Sequence, residues 1–410
     1  MKKILFFTLP FWGHINPNKD LITNLGEKYD VVCVSSEKFK QFFHDIGLEI
    51  IEYPNFISEY YGDGVINDDE SIVKKYYSSQ FNTNDMSAMS KKSIEVLEKL
   101  WFELGSSIKD FNPDLIINDV YAFWGEPIAN ILNVNFINID SATDMLSKVQ
   151  DYYFEQYLND IVAKEIKECI NAKDVIKESN IINKQQKKKF LKFTHKSSKE
   201  YKMPLITLAH MSKELQIGAD GMDIPYKYLG FDLDKEVNVN KKDIIYISRG
   251  TINDSYNEMT IKNIISVFEN ENKYEIVASC GVRADAINIF NNNIIKIHKF
   301  VDQIDYLQKS KLFISHGGIT GVREAIICET PTIVFPTTFH CYQVGLAVEK
   351  SGIGIMLRQH PFCKDELKKA IDNILNDDKY TSNIKKFKEK LVNVKKENNI
   401  CEIIEEYMGR

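Results

Sequence analysis

Apolar residues in this chain gather in short unbroken runs rather than in strict alternation. Ile4–Leu9 is the first and Asp30–Ser35 (with Val31, Val32 and Val34) the second, while Glu49–Tyr53 reads as a third strand with Ile50 and Ile51 between glutamates. Runs of this length predict strands buried on both faces, the habit of parallel sheets. Helical segments lie between them. Asn16-Pro17 starts one, because Asn can cap a helix and Pro suits its first position, and Gly26 ends it. Glu37–Ile46 is a second, stopped by Gly47. Further strands are expected at Asp114–Asn118, introduced by Asn112-Pro113, and at Asn135–Asp140. Strand and helix in alternation predict a doubly wound parallel α/β sheet.

The rhythm restarts in the second half. Strands are expected at Ile244–Ser248, Tyr274–Ser279, Ile294–Lys299, Leu312–Ser315 and Thr332–Phe335, with helices near Glu258–Asn270 and Gln303–Lys309. The polar stretch Asp232–Lys242 divides the two rhythms. The expected domains are therefore residues 1–231, a linker at 232–242, a second unit at 243–385, and a helical tail at 386–410 packing back on the first unit. A length of 410 residues agrees with two domains. Ser71–Lys109 and Met145–Lys202 are helix-rich and less regular, as insertions that shape a variable binding surface often are.

Composition narrows the function classes. Hydrophobic content of 44% and charged content of 27% are those of a soluble globular enzyme. A net charge of −6 does not favour nucleic acid as a partner. The seven cysteines are scattered without a C-x-x-C pair, which fits a reducing cytoplasm and neither a disulfide scaffold nor a zinc site. Pro10, Trp12, Gly13 and His14 interrupt the first apolar run, so it reads as a buried strand and not a signal peptide. No run reaches membrane-spanning length. The basic stretch Lys184–Lys202, with Phe190, Leu191 and Phe193 interleaved, reads as a solvated helix face; weak contact with an anionic membrane is the alternative.

Candidate chemistry lies where strands end. His316-Gly317-Gly318 follows the run Leu312–Ser315 and opens a short helix. A glycine turn at a helix start presents free N–H groups and a positive dipole end, a site for phosphate. In the first half, Phe11-Trp12-Gly13-His14-Ile15-Asn16-Pro17 follows the first strand and Asp119 ends a later one. A histidine with an orienting aspartate is a general-base pair. Taken singly, Asp119 reads more simply as a helix cap. Asp232-Leu-Asp234 sits in the polar linker and reads as a solvated turn rather than a metal pair.

These motifs together resemble the bacterial family 1 glycosyltransferases of the UDP-glycosyltransferase superfamily, the macrolide- and antibiotic-modifying members above all. The resemblance is carried by Gly13-His14-Ile-Asn-Pro17, Pro113-Asp114 to Asp119, Ser248-Arg-Gly-Thr251, Phe300-Val-Asp-Gln303 and the motif from His316 to Gly354. It implies a GT-B fold: two Rossmann-like domains facing across a cleft, the first for acceptor and the second for nucleotide sugar. It implies His14 as the base that deprotonates the acceptor hydroxyl, Asp119 as its partner, and Trp12 and Gly13 beside the acceptor. Arg249, Gly250 and Thr251 would lie near the diphosphate. Phe300 would stack on the nucleotide base, with Val301 and Gln303 bonding it. His316, Gly318, Thr320 and Gly321 would grip the diphosphate, and Glu324 the ribose. The donor is expected to be a nucleoside-diphosphate sugar, UDP first, with inversion and without a metal or other cofactor. The acceptor is expected to be a small natural product, and the protein a cytoplasmic monomer or homodimer. Transfer to a lipid carrier, nucleotide-sugar epimerisation, or non-catalytic binding of nucleotide sugar are the alternatives.

The chain departs from the family pattern in three places. His340-Cys341 stands where an acidic-Gln pair usually holds the donor sugar, Gly321 where a serine is common, and Arg249 in an unusual position before Gly250. An imidazole in place of a carboxylate can donate as well as accept, so altered sugar recognition is expected.

Overall fold

The computed structural model describes residues 1–57, 83–140, 156, 160, 172–217, 225–231, 233, 236–248, 255–281, 284–336, 338–358 and 363–408. Among these, seven strands form a first parallel sheet: β1 (Lys3–Phe7), β2 (Asp30–Ser35), β3 (Glu49–Glu52), β4 (Leu115–Asp119), β5 (Asn135–Asp140), β6 (Thr207–Ala209) and β7 (Tyr226–Tyr228). Their order is β3-β2-β1-β4-β5-β6-β7. The chain winds outward to β3, then crosses back to lay β4 beside β1, with Phe7 opposite Asn118. The gap between the carboxyl ends of β1 and β4 is therefore the switch point, where doubly wound sheets open a crevice.

The second sheet repeats this plan with β8 (Ile244–Ser248), β9 (Glu275–Ser279), β10 (Ile295–His298), β11 (Leu312–Ser315), β12 (Thr332–Val334) and β13 (Gly354–Met356). Its order is β10-β9-β8-β11-β12-β13, all parallel, with the switch point between β8 and β11. The two sheets give the α/β architecture of the GT-B fold.

The apolar runs become central strands because both faces are covered. Alternate residues of β1 enter different cores: Ile4 and Phe6 one, Leu5 and Phe7 the other. In β8, Ile245 and Ile247 face one core while Ile244 and Tyr246 face the opposite one. The last helix, Ile400–Met408, places Ile400, Cys401, Ile403 and Ile404 in the core that holds Ile4 and Phe6. Lys28 pairs with Glu405 at 2.9 Å on the same side. A further apolar cluster joins the halves: Ala209, Met211 and Leu215 pack with Ile319, Val322, Ile326, Val344 and Ala347.

Some boundaries differ from expectation. The segment 37–46 divides into a 3-10 turn, Glu37–Phe39, and a helix, Lys40–Asp45. Gly47 closes it at φ +78°, donating to the His44 carbonyl at 2.9 Å. The helix expected near Glu258–Asn270 runs over Ser255–Ser266. The strands β6, β7 and β13, three residues each, were not anticipated. Asp232 and Asp234 lie outside the described residues, and among those described no helix is long and apolar enough to cross a membrane.

Candidate active site

At the first switch point, β1 runs into a turn closed by Phe11 N donating to the Leu9 carbonyl at 2.8 Å. The short helix Trp12–Ile15 follows and carries His14. Asp119 is the last residue of β4, the neighbouring strand, so the topology brings both to one edge. His14 Nδ1 lies 2.8 Å from Asp119 Oδ2. The Asp119 side chain is wholly buried, that of His14 21% exposed. Asp119 Oδ1 accepts from the Tyr121 backbone N–H at 2.9 Å. A carboxylate only accepts, so Nδ1 carries the ring proton and Nε2 is left as the basic nitrogen. The Tyr121 ring meets the imidazole edge-on, centroids 5.3 Å apart. Burial pulls the His14 pKa down, but the charge of Asp119, the bond to it and the charge of Asp140 outweigh that. The net position is above the ordinary 6.5.

Asn16 does not cap the helix that follows. The turn Asn16–Asn18 is 3-10, and Asn18 precedes the Lys19–Gly26 helix without a side-chain cap. Asn18 is fully buried and Nδ2 donates to the His14 carbonyl at 2.8 Å.

At the second switch point, β11 leads into His316-Gly317-Gly318 and the Ile319–Ile327 helix. Gly317 takes φ +90°, and a Cβ there would stand 2.7 Å from Val334 Cγ1 and 2.9 Å from the Cys341 carbonyl. Only glycine fits. A Cβ on Gly318 would meet His316 Nε2 at 2.8 Å, so that glycine lets the imidazole lie against the turn. Gly318 is the N-cap and, having no side chain, does not cap the helix itself, so the amino end suits an anion. Gly321 differs: its nearest neighbour would be Gln303 Nε2 at 3.5 Å, an ordinary contact.

Gln303 and Glu324 come together, the amide nitrogen donating to Glu324 Oε2, and the Tyr246 hydroxyl reaches Gln303 Oε1 at 3.4 Å. Phe300 is 65% exposed, and Val301 is half-buried beside it. His340 stands in the first turn of the Phe339–Lys350 helix. Desolvation, and then the charge of His14, push its pKa down to about 4. Cys341 is buried, and its N–H donates to Thr338 Oγ1 at 3.2 Å. Gly13 is exposed with open space where a Cβ would be. Trp12 opens the helix that bears His14. Arg249, Gly250 and Thr251 lie outside the described residues.

Sequence reading missed Tyr121, Asn18, Tyr246, Asp140, His210 and Arg323. Arg323 left a signal: it occupies an i+4 position in the apolar stripe Ile319, Val322, Ile326. No group of three or more His, Cys, Asp or Glu side chains that could hold a metal occurs among the described residues.

Residues 270–407 match the model of the erythromycin biosynthesis protein CIII-like C-terminal domain. The NDP-glycosyltransferase YjiC of Bacillus subtilis (strain 168) is 26% identical over 397 residues, covering 94% of this chain and 92% of YjiC. Among solved structures, the calicheamicin glycosyltransferase CalG4 superposes with a TM-score of 0.69 at 15% identity, over 100% of this chain and 99% of CalG4. The spinosyn rhamnosyltransferase SpnG complexed with thymidine diphosphate does so with a TM-score of 0.65 at 13% identity, over 96% of each chain.

Proposed function

From the premise that this chain belongs to the family 1 glycosyltransferases of GT-B fold, enzymes that use nucleoside-diphosphate sugars, we propose an inverting transfer of a sugar to a hydroxyl of a small acceptor, with His14 as general base. The observation that carries the reading is the 2.8 Å bond between His14 Nδ1 and buried Asp119. It leaves Nε2 directed away from the carboxylate as proton acceptor. The acceptor O–H gives its proton to Nε2 while its oxygen forms a bond to the anomeric carbon. The bond from that carbon to the diphosphate oxygen breaks, and the nucleoside diphosphate leaves with the electron pair. One displacement inverts the centre. Asp119 stabilises the imidazolium that forms.

Charge develops on the leaving diphosphate, and the uncapped amino end of the Ile319–Ile327 helix, Thr320 and His316 are suited to take it. That supports a reaction in which the protein itself neutralises the leaving group, without a metal. Phe300, exposed and aromatic, suits base stacking, and Glu324 suits a ribose with two vicinal hydroxyls. A deoxyribose offers one fewer, so UDP is the expected nucleotide and dTDP, the nucleotide bound by SpnG, its competitor. His340, neutral at neutral pH, suits a sugar hydroxyl by donating or accepting.

A thermal-shift panel of UDP, dTDP and their sugars tests the donor site. A ligand at a hundred times its Kd stabilises by about 2.7 kcal/mol. If no nucleoside diphosphate raises the melting temperature, the donor reading fails. Retention of anomeric configuration in the product would overturn the single displacement.

A further inference from the structure

Arg323 is a charge in a core position. Ile319, Val322 and Ile326 share its helix face and are buried, and Arg323 itself is 0% exposed. A buried guanidinium persists only where partners meet it, and its partners come from both halves of the molecule. One guanidinium nitrogen donates to the His210 carbonyl, just past β6 of the first sheet. The other donates to Thr320 Oγ1 at 3.3 Å, in the first turn of its own helix. The Phe231 ring lies 4.5 Å from the guanidinium carbon. The hydrogen bonds continue through the first half. His210 Nε2 meets Asn18 Oδ1 at 2.9 Å, and Asn18 Nδ2 donates to the His14 carbonyl at 2.8 Å. The direction is fixed by chemistry. Asn18 uses its nitrogen as donor toward His14, so its oxygen must accept, and His210 Nε2 carries the proton. Burial, with Arg323 and Lys395 nearby, keeps His210 neutral, as that tautomer requires.

We propose that Arg323, His210 and Asn18 form a positioning relay that ties the diphosphate turn of one half to the general-base turn of the other. Seating a nucleoside diphosphate at Thr320 then fixes the orientation of His14. This rests on the function proposed above. Thr320 Oγ1 already accepts from Arg323, so its own proton is left to donate to an anion at the helix start. Asp140, buried at the end of β5, acts electrostatically on both His14 and Arg323, so the two ends share a counter-charge as well as a bond path. The groups acting on the His14 imidazole are then Asp119 from β4, Asp140 from β5 and Tyr121 beside it.

The test is His210→Phe against His210→Gln. Release of nucleoside diphosphate is followed from UDP- and dTDP-hexoses with 4-nitrophenol as acceptor. His210→Phe keeps the bulk and loses the donor. It is expected to lower kcat at least tenfold while the donor KM stays within twofold. His210→Gln keeps an N–H donor near Nε2 and is expected to recover kcat to within threefold of wild type. Equal loss in both variants would make the residue mere packing and overturn the relay, as would a wild-type kcat in His210→Phe. If His210→Phe does not fold, Asn18→Ser breaks the next joint, and kcat within twofold of wild type there overturns the relay. The base reading fails separately: its sign would be a His14→Ala variant that turns over normally while UDP or dTDP still raises the melting temperature.

Discussion

The two switch points are built alike in topology and oppositely in chemistry. At the first, every polar atom of the Asp119 carboxylate has a protein partner, one oxygen on His14 and the other on the Tyr121 amide. At the second, the helix beginning at Ile319 has no side-chain cap and the turn before it is glycine. A general base, as proposed for His14, must be held in one tautomer before substrate arrives, and the partners of His14 and Asp119 at this site are internal. A diphosphate, as proposed for the second, brings its own charge and acceptors, and a helix start whose N-cap is Gly318 suits it. The first site is organised by what is present, the second by what has been omitted.

The largest expected effect breaks the first side of that contrast. His14→Ala removes the proton acceptor and should lower kcat on the order of 10³-fold, within the usual range for a general base, with UDP or dTDP thermal shifts unchanged. Asp119→Asn comes next, with a loss on the order of 10²-fold in kcat, the lower end of what general-base catalysis contributes. It also has a sign. The His14 base must be neutral to act, and its pKa stands above 6.5 through Asp119 and Asp140 against opposing burial. In wild type, kcat/KM should rise through that raised pKa as pH increases. Removing the Asp119 charge should move the acid limb to lower pH even as the rate falls. An acid limb that stays in place would show that a different group titrates there.

On the second side, Gly317→Ala puts a Cβ against Val334 and the Cys341 carbonyl at φ +90°. Strain of this kind costs roughly 1–3 kcal/mol, read as a lower melting temperature together with weakened nucleotide shifts. Gly321→Ser should do the reverse. Its Cβ meets only ordinary contacts, serine suits a helix better than glycine by about 0.5 kcal/mol, and the added hydroxyl lies by the phosphate turn. A lower donor KM with equal or higher stability is expected; a raised KM would mean that the turn at residue 321 is closed to a side chain.

Legibility in the sequence followed burial. The strands β1, β4, β8 and β11 were readable because both faces are covered, which forces continuous apolar runs. The short strands β6, β7 and β13 were not, since three residues carry no period and Tyr226-Lys227-Tyr228 at a sheet edge is only half-buried. Asn16-Pro17 suggested a helix cap, yet Asn18 is the residue with a tertiary role, because its amide faces inward to His14 and His210. His316, His14 and Asp119 stood out as chemistry at strand ends. Asp140 entered the sequence reading only as a strand end, and Arg323 not at all.

The sequence alone determined the two alternations of strand and helix and the strand ends at which candidate chemistry lies, because strand burial and glycine turns are local patterns written in consecutive residues. Tertiary structure decided which of those edge residues meet. The 2.8 Å contact of His14 with Asp119 and the buried path from Arg323 to Asn18 join positions that no spacing connects. Contact between distant residues depends on how sheets cross and halves pack, and only the folded chain fixes that.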